Sequence, residues 1–303
     1  MVVIGTTVMK KKTFLSILAH ALLFLSLFAP SCRAADIIVV ADSRLRPVAE
    51  IISGMRKCVR ASIKICAPDD VEGRLRELVA REGGKVVVAL GREALDEALQ
   101  LPPAIPVIYG LVVTPPLTDR PNTAGFYLAT PVREYTDLIR NHLRSIKKVA
   151  VLGSRVQLAT LARCDEQPPA CSIHSVRNPV EFVNTVRLLD AADAIILLPD
   201  AELLTSGAMD EVYLLSFRKG IPLLGISERN VREGALAALV VDMVHVGRMI
   251  GGTAAKALKG VSIDRIPPFP PRKFDLFLNT ATARRMGVPI PDEVVRMAKR
   301  VYP

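Results

Sequence analysis

The residues best suited to chemistry are few, and they form no catalytic pattern. His142, His174 and His245 lie outside the apolar amino-terminal segment, and none belongs to a metal-ligand or triad arrangement. The sequence has no GxGxxG after a strand, no P-loop, no HExxH and no GxSxG, and Gly225-Ile-Ser-Glu-Arg misses the last pattern by one position. We therefore predict no catalytic residues, no metal and no cofactor.

The cysteines favour an oxidising compartment. Apart from Cys32, they fall into two local pairs, Cys58 with Cys66 and Cys164 with Cys171. Neither pair has the C-x-x-C spacing of a zinc site. Pairs this close in an exported chain are typical of local disulfides, so we predict two.

Polar residues follow several apolar runs, which include IIVVA at 37, KVVVAL at 85, KVAVLG at 148 and AIILLP at 194. Continuous apolar strands that alternate with helices are typical of parallel sheets covered on both faces. Ligands of such sheets bind beyond the carboxyl ends of the strands. We predict an α/β fold with these ligand-binding candidates: Ser43, Arg44, Gly91, Arg92, Tyr109, Tyr127, Ser154, Arg155, Asp200 and Ser227.

The candidates have different chemical roles. Arg44 or Arg155 can bind a carboxylate with two nitrogens, a tyrosine can stack, and Asp200 can accept from an ammonium group. The alternative is structural, because Ser and Asp often cap the next helix and Arg often lies in solvent.

A weak internal repeat of roughly 110 residues predicts two similar lobes. IIVVADSR, ending at Arg44, resembles VAVLGSR, ending at Arg155, and the segment 86–99 parallels 194–207. Two such lobes facing each other would form a cleft lined by equivalent loops of both.

The first 34 residues have the features of a signal peptide. Met9-Lys-Lys-Lys is a basic start, Phe14 to Ala29 is apolar, and small residues precede a cleavage point before Ala35. Met9 is an alternative initiator. The apolar run is short for the roughly 20 residues of a membrane-spanning helix, although an uncleaved anchor, or acylation at Cys32, remains an alternative. We predict cleavage and a periplasmic or otherwise extracytoplasmic protein.

The charge does not indicate nucleic-acid binding. The formal net charge is +10, but the mature chain keeps 36 basic against 30 acidic residues. These charges are mixed in sign, and no basic stripe is interleaved with aromatic residues.

The pattern changes after Val240. A long helix is predicted from VVDMVHVGRMIGGTAAKALKG, with Gly247, Gly251 and Gly252 on or near one face, which permits close packing. The proline-rich RIPPFPPRK that follows is either a PxxP ligand motif or a connector between lobes. We favour the connector, because the strand FDLFLN comes next.

Two segments carry a family resemblance: GALAALVVDMVHVGRMIGGTAAKALKG and NTATARRMGVPIP. In them the chain resembles the ABC-transporter substrate-binding family whose better-known members are associated with tryptophan and tyrosine. The resemblance implies a type I periplasmic-binding fold with three hinge crossings, and a small molecule delivered to an ABC permease in the inner membrane. The chain departs from the family at Thr114, where an Asp is usual, at Ala124-Gly125, where Thr-Gly is usual, and at Tyr127.

The predicted organisation follows from the repeat and the resemblance. Lobe 1 comprises residues 35–129 and 241–262, and lobe 2 comprises 130–240 and 263–303, with crossings at Thr130-Pro131, Val240-Val241 and 263–270. The predicted function is that of an exported, monomeric solute-binding protein for an amino acid or related carboxylate. The alternatives are a periplasmic sensor domain for a membrane receptor or kinase and, less favoured, an exported enzyme.

Overall fold

The structure is a computed structural model, which describes residues 35–303 except 115, 117, 165–166 and 264–272. The signal peptide predicted for 1–34 and residues 264–270 of the predicted third crossing lie outside the described residues. Residues 35–303 belong to one compact unit.

The amino-terminal part builds a five-stranded parallel sheet, sheet 1, with the order β2-β1-β3-β4-β5. Its central strands β1 and β3 are buried along their whole length, as continuous apolar runs predict for a sheet covered on both faces. The strands are β1 Ile37–Val40, β2 Ile63–Cys66, β3 Val86–Leu90, β4 Val107–Val112 and β5 Thr123–Tyr127. The helices among them are α1 Arg46–Arg56, α2 Pro68–Val71, α3 Leu75–Glu82 and α4 Arg92–Leu99.

The rest of the chain builds a seven-stranded sheet, sheet 2, with the order β12-β11-β10-β9-β8-β6-β7. Only the β10–β11 pairing is antiparallel among the pairings of the described strands. The strands are β6 Lys148–Gly153, β7 Ala170–Ser175, β8 Ala194–Leu197, β9 Leu223–Gly225, β10 Ala237–Val241, β11 Phe274–Asn279 and β12 Arg300–Tyr302. The helices are α5 Val132–His142, α6 Arg155–Leu161, α7 Pro179–Leu188, α8 Ser206–Lys219, α9 Glu228–Glu233, α10 Met243–Leu258, α11 Thr280–Arg285 and α12 Asp292–Met297.

The two sheets repeat one strand order. Sheet 1 runs β2-β1-β3-β4-β5, and the first five strands of sheet 2 run β7-β6-β8-β9-β10. Each strand of one series therefore has a counterpart at the same place in the other. This correspondence matches the sequence repeat, in which β1 was paired with β6 and β3 with β8.

Helix α10 follows sheet 2 in the chain but packs against helix α1 beside sheet 1. Its inward residues Val246 and Ile250 share an apolar cluster with Ile37 and Val39 of β1, while the alternate β1 residues face the other side of the sheet. The helices can approach because glycines line the contact. An ideal Cβ on Gly247 would lie 2.0 Å from the carbonyl oxygen of Ile51.

Side-chain hydrogen bonds tie the segment after sheet 1 to strand β10. The Thr130 hydroxyl donates to the Leu239 carbonyl at 2.8 Å. The Tyr135 hydroxyl donates to the Gly225 carbonyl at 2.6 Å and accepts from the Leu239 N–H at 3.2 Å. Tyr135 is fully buried, and burial raises the pKa of its hydroxyl. Two of the predicted crossings, near 130 and near 240, are thus bonded to each other.

The prediction of two disulfides is wrong, because all four cysteines of the described residues are thiols. The Cys58 Cβ lies beside Gly251 of α10, on the α1 face of sheet 1. Cys66 ends β2 and packs against the cluster on the opposite face. The two cysteines therefore lie toward opposite faces of sheet 1.

The second predicted pair also forms no disulfide. Cys164 and Cys171 pack against the same apolar cluster, but the Cys171 Sγ is directed to the Pro169 carbonyl oxygen at 3.7 Å. Cys164 and Cys171 are close in sequence, which predicted a disulfide, but no disulfide joins their side chains.

Candidate functional site

The repeated strand order defines where a ligand would sit. In an open parallel sheet, neighbouring strands whose connections leave in opposite directions form a crevice at their carboxyl ends. In sheet 1 these strands are β1 and β3, and in sheet 2 they are β6 and β8. Seven of the ten candidates follow these four strands: Ser43, Arg44, Gly91, Arg92, Ser154, Arg155 and Asp200.

The loop after β1 contains an ion pair that the sequence analysis missed. The exposed Arg44 guanidinium binds Asp42 with two nitrogens, Nε to Oδ1 at 2.8 Å and Nη2 to Oδ2 at 2.9 Å. These bonds lower the pKa of the Asp42 carboxyl. Arg44 therefore has an intramolecular carboxylate partner, with which a ligand carboxylate would compete. Ser43 is exposed beside it.

Gly91 turns the chain from β3 into α4. Its φ of +105° is a conformation that glycine adopts without steric cost. The Gly91 N–H donates to the Gly110 carbonyl at 3.0 Å, so this backbone is fixed to the neighbouring strand β4. Arg92 is exposed at the start of the helix.

The two candidate tyrosines are buried. The Tyr109 ring lies over Gly125, where an added Cβ would be 1.8 Å from the ring Cζ. Tyr109 is 3% exposed and Tyr127 is 7% exposed. Burial raises the pKa of Tyr109 to about 12, and it also raises the pKa of Tyr127. Ring stacking on a ligand stays a prediction for both.

On sheet 2, two candidates accept hydrogen bonds from the backbone that follows them, Asp200 in a turn and Ser227 at the start of a helix. The Asp200 Oδ1 accepts from the N–H groups of Glu202 at 3.0 Å and Leu203 at 3.2 Å, and Oδ2 has no partner among the described residues. Ser227 caps α9 by accepting from the Asn230 N–H at 3.2 Å. One Asp200 oxygen is therefore held in place while the other remains open to a donor.

Ser154 and Arg155 begin helix α6. Ser154 occupies the N-cap position of the helix, but its side chain makes no capping bond. Ser154 is half-buried, whereas Arg155 is exposed. The Ser-Arg pairs after β1 and β6 thus share a strand-end position but differ in their local bonds, because Arg44 is bound by Asp42.

A direct contact joins the carboxyl edge of sheet 1 to helix α6 at the carboxyl edge of sheet 2. The Gln157 Nε2, in α6, donates to the Thr114 Oγ1, just beyond β4, at 2.8 Å. Sequence reasoning missed Gln157 and did not list Thr114 as a contact. One feature of the sequence could have indicated Gln157. This glutamine lies four residues, about one helical turn, before Leu161, and both residues are on the buried face of α6.

A charged cavity of about 330 Å³ lies where β10 passes into α10. Asp242 caps α10 by accepting from the His245 N–H at 3.0 Å and pairs with the Lys273 Nζ at 2.9 Å. Burial raises the pKa of the Asp242 carboxyl, but these partners outweigh burial and leave its pKa below the usual value. The other charged lining residues are Arg46, Glu50, Glu228, Asp275 and Lys299.

The part of the chain that the structure describes contains no group of three or more His, Cys, Asp or Glu side chains that could hold a metal ion. Within the same residues, no helix has the length and apolar character needed to cross a bilayer.

Part of the sequence matches the model of a known protein family. A family model described as "ABC transporter substrate binding protein" matches residues 171–302. The predicted resemblance to this family is confirmed. No curated protein matches the sequence significantly.

Solved structures confirm the type I periplasmic-binding fold. An ABC domain from Streptococcus pneumonia, solved in complex with L-Trp, is 20% identical with a TM-score of 0.58. The ligand-free, open structure of a substrate-binding protein with adhesive properties from Clostridium difficile is 14% identical with a TM-score of 0.66. A conserved domain protein from Vibrio cholerae is 16% identical with a TM-score of 0.55. Each alignment covers 88% of this chain and 99% of the other.

Proposed function

We propose that the protein is an exported solute-binding protein that captures a small molecule between lobe 1 and lobe 2 and delivers it to an ABC permease in the inner membrane. The observation that carries the proposal is the Gln157–Thr114 hydrogen bond, which joins the segment after β4 of sheet 1 to helix α6 after β6 of sheet 2, both at carboxyl ends of strands. A molecule bound between these edges would contact both lobes. The family match and the repeated strand order support the same function.

The proposed solute is an amino acid or a related carboxylate. The open Oδ2 of Asp200 suits an ammonium group, and the exposed Arg155 suits a carboxylate. The L-Trp complex of the Streptococcus relative supports an amino acid as the first class to test. Closure on the solute would require changes in a few backbone dihedrals at the crossings near 130, near 240 and within 263–270.

The proposal also covers the export of the protein, its location and its oligomeric state. Residues 1–34 would be removed on export, and the mature chain would act in the periplasm as a monomer. Mass spectrometry of protein recovered after export tests the cleavage, and a lipid adduct on Cys32 would instead indicate an anchored form.

Binding is tested with purified mature chain, proteinogenic L-amino acids and small carboxylates. Thermal shift identifies a binder, and small-angle scattering then compares the radius of gyration with and without it. A ligand that contacts both lobes favours the closed state, so we expect compaction. Tight binding without compaction would contradict capture between lobes.

A pair of arginine variants locates the binding edge. We expect Arg155→Ala to weaken carboxylate binding by roughly tenfold, because a charge-assisted hydrogen bond is lost. Arg218→Ala is the matched control, since Arg218 lies in the last turn of α8, at the opposite end of that helix from its start near the carboxyl edge of sheet 2. Equal losses in both variants would argue against a site at the carboxyl edge.

A further inference from the structure

Helix α6 exposes an apolar residue and buries a polar one. Val156 is 57% exposed, whereas the neighbouring Gln157 is 5% exposed and lies on the same inward face as Leu161. A helix that only covered a core would show the reverse arrangement. Burying an amide is unfavourable unless its polar atoms are hydrogen-bonded.

Only part of the Gln157 amide is bonded. The Nε2 donates to the Thr114 Oγ1, but the Oε1 is buried and has no hydrogen-bond partner among the described residues. A glutamine oxygen can accept two hydrogen bonds, and buried acceptors without a partner are rare in folded proteins. The unpartnered oxygen lies next to the contact that joins the two carboxyl edges, which is the place where a solute would bind.

We propose that Gln157 is a specificity-determining residue, whose Oε1 accepts a hydrogen bond from an N–H or O–H group of the bound solute while its Nε2 holds Thr114 of the other lobe. This inference rests on the proposed function and narrows the solute to molecules that carry a donor at that point. A solute with only acceptors there would leave the Oε1 desolvated and unbonded. The Gln157 side chain would thus both select the solute and contact the other lobe.

Calorimetry with the proteinogenic L-amino acids as probes tests the acceptor. We expect Gln157→Leu to weaken binding by about tenfold to 100-fold, because the solute donor loses its buried acceptor. Gln157→Glu keeps an acceptor at the same reach and should bind within about threefold of the wild type or more tightly. Thr114→Val removes only the lobe contact and should cost less than Gln157→Leu. Binding by Gln157→Leu within about threefold of the wild type, or equal losses in the Leu and Glu variants, would overturn the proposal.

The ligand-free protein gives a second readout. Gln157 is buried and Thr114 is half-buried, and replacing both partners of a hydrogen bond with apolar residues of similar shape can be nearly neutral or stabilising. The double variant Thr114→Val/Gln157→Leu should therefore melt at or above the wild-type temperature. A lower melting temperature would show that the pair serves folding, and would overturn the proposal.

The two readouts separate the possible failures. If no amino acid stabilises the wild type, the proposed solute class is wrong, and the melting temperature of the double variant still decides whether Gln157 is kept for binding. If amino acids bind and compact the wild type but Gln157→Leu binds equally well, the proposed function stands and the role of Gln157 falls.

Discussion

The α1–α10 contact and the junction around β10 hold the chain together in opposite ways. At the first, helix backbones touch: ideal Cβ atoms on Gly54 and Gly247 would lie 2.2 Å and 2.0 Å from carbonyl oxygens of the facing helix. At the second, the crossing segment is attached by the hydroxyl groups of Thr130 and Tyr135. Close backbone packing permits little relative movement, whereas a few side-chain bonds can be remade.

This difference bears on the proposed closure of the two lobes. Helix α10 is held against α1 and sheet 1, yet it begins one residue after β10, which belongs to sheet 2. If the lobes close on a solute as proposed, the dihedral changes would therefore fall on the short segment around Val241 and Asp242. The hydrogen bonds from Thr130 and Tyr135 to β10 would keep two crossings moving together.

The largest expected effect comes from filling the helix contact. Gly247→Ala places a methyl group against the Ile51 carbonyl, so we expect a loss of about 3 kcal/mol or more in the free energy of unfolding. Gly252→Ala is the control in the same helix, since its Cβ would meet nothing within 4 Å. Because alanine favours helix more than glycine does, the control should gain about 0.5 to 1 kcal/mol. Urea unfolding measures both, and equal stabilities would refute the rigid contact.

Next in size is the loss of the buried hydroxyl at the junction. Tyr135→Phe leaves the Leu239 N–H and the Gly225 carbonyl without that partner, and we expect a loss of about 2 kcal/mol. Tyr302→Phe is the comparison, because the Tyr302 hydroxyl binds Glu228 at a partly exposed site and should contribute about 1 kcal/mol or less. A Tyr135 variant no less stable than the Tyr302 variant would mean that the crossings are held together by packing alone.

The sequence predicted most central strands and missed those whose pattern is weak. The runs at 37, 85, 148 and 194 correspond to β1, β3, β6 and β8, because strands buried on both faces are continuously apolar. The strands β2 and β7 are half-buried or exposed, so IKIC and ACSIHS lack that signal. Alanine-rich β10 has a composition that also suits a helix, and its pairing with β9 and β11 decides its structure.

For the candidate site, only the position of the loops can be compared with the sequence prediction, and the ligand contacts stay predictions. Strand ends located the loops, and the repeat related those of one sheet to those of the other. The Gln157–Thr114 contact joins residues 43 apart in the chain, and no local pattern indicates which side chains meet across two sheets. The predicted role of Gly252 in close packing was likewise wrong, because a Cβ there would meet nothing within 4 Å. The spacing of the glycines does not determine how the helix is rotated about its axis, and this rotation decides which glycines face α1.

A smaller, pH-dependent effect is expected at the start of α10. Asp242→Asn keeps an N-cap acceptor but removes the charge that pairs with Lys273, so we expect a loss of about 1 kcal/mol at neutral pH. The folded-state pKa of Asp242 is lowered, so its contribution is present above the unfolded-state pKa and is lost as the pH falls through the folded-state pKa. Unfolding free energies of the two proteins should therefore converge below about pH 4. A difference that does not change with pH would assign the effect to the cap.

The smallest effect on stability is expected at Asp200, in the turn after β8. Its Oδ1 accepts from the N–H groups of Glu202 and Leu203, and an asparagine oxygen can do the same, so Asp200→Asn should change the free energy of unfolding by less than about 0.5 kcal/mol. Asp200→Ala removes the acceptor and should cost about 1 kcal/mol. Binding separates the two roles of the carboxylate: if Oδ2 meets the ammonium group of an amino acid, Asp200→Asn leaves a desolvated cation and should weaken affinity by roughly 30-fold to 1000-fold. Chemical unfolding and calorimetry on the same preparations give both quantities. An affinity change below about threefold would assign Asp200 to the turn alone.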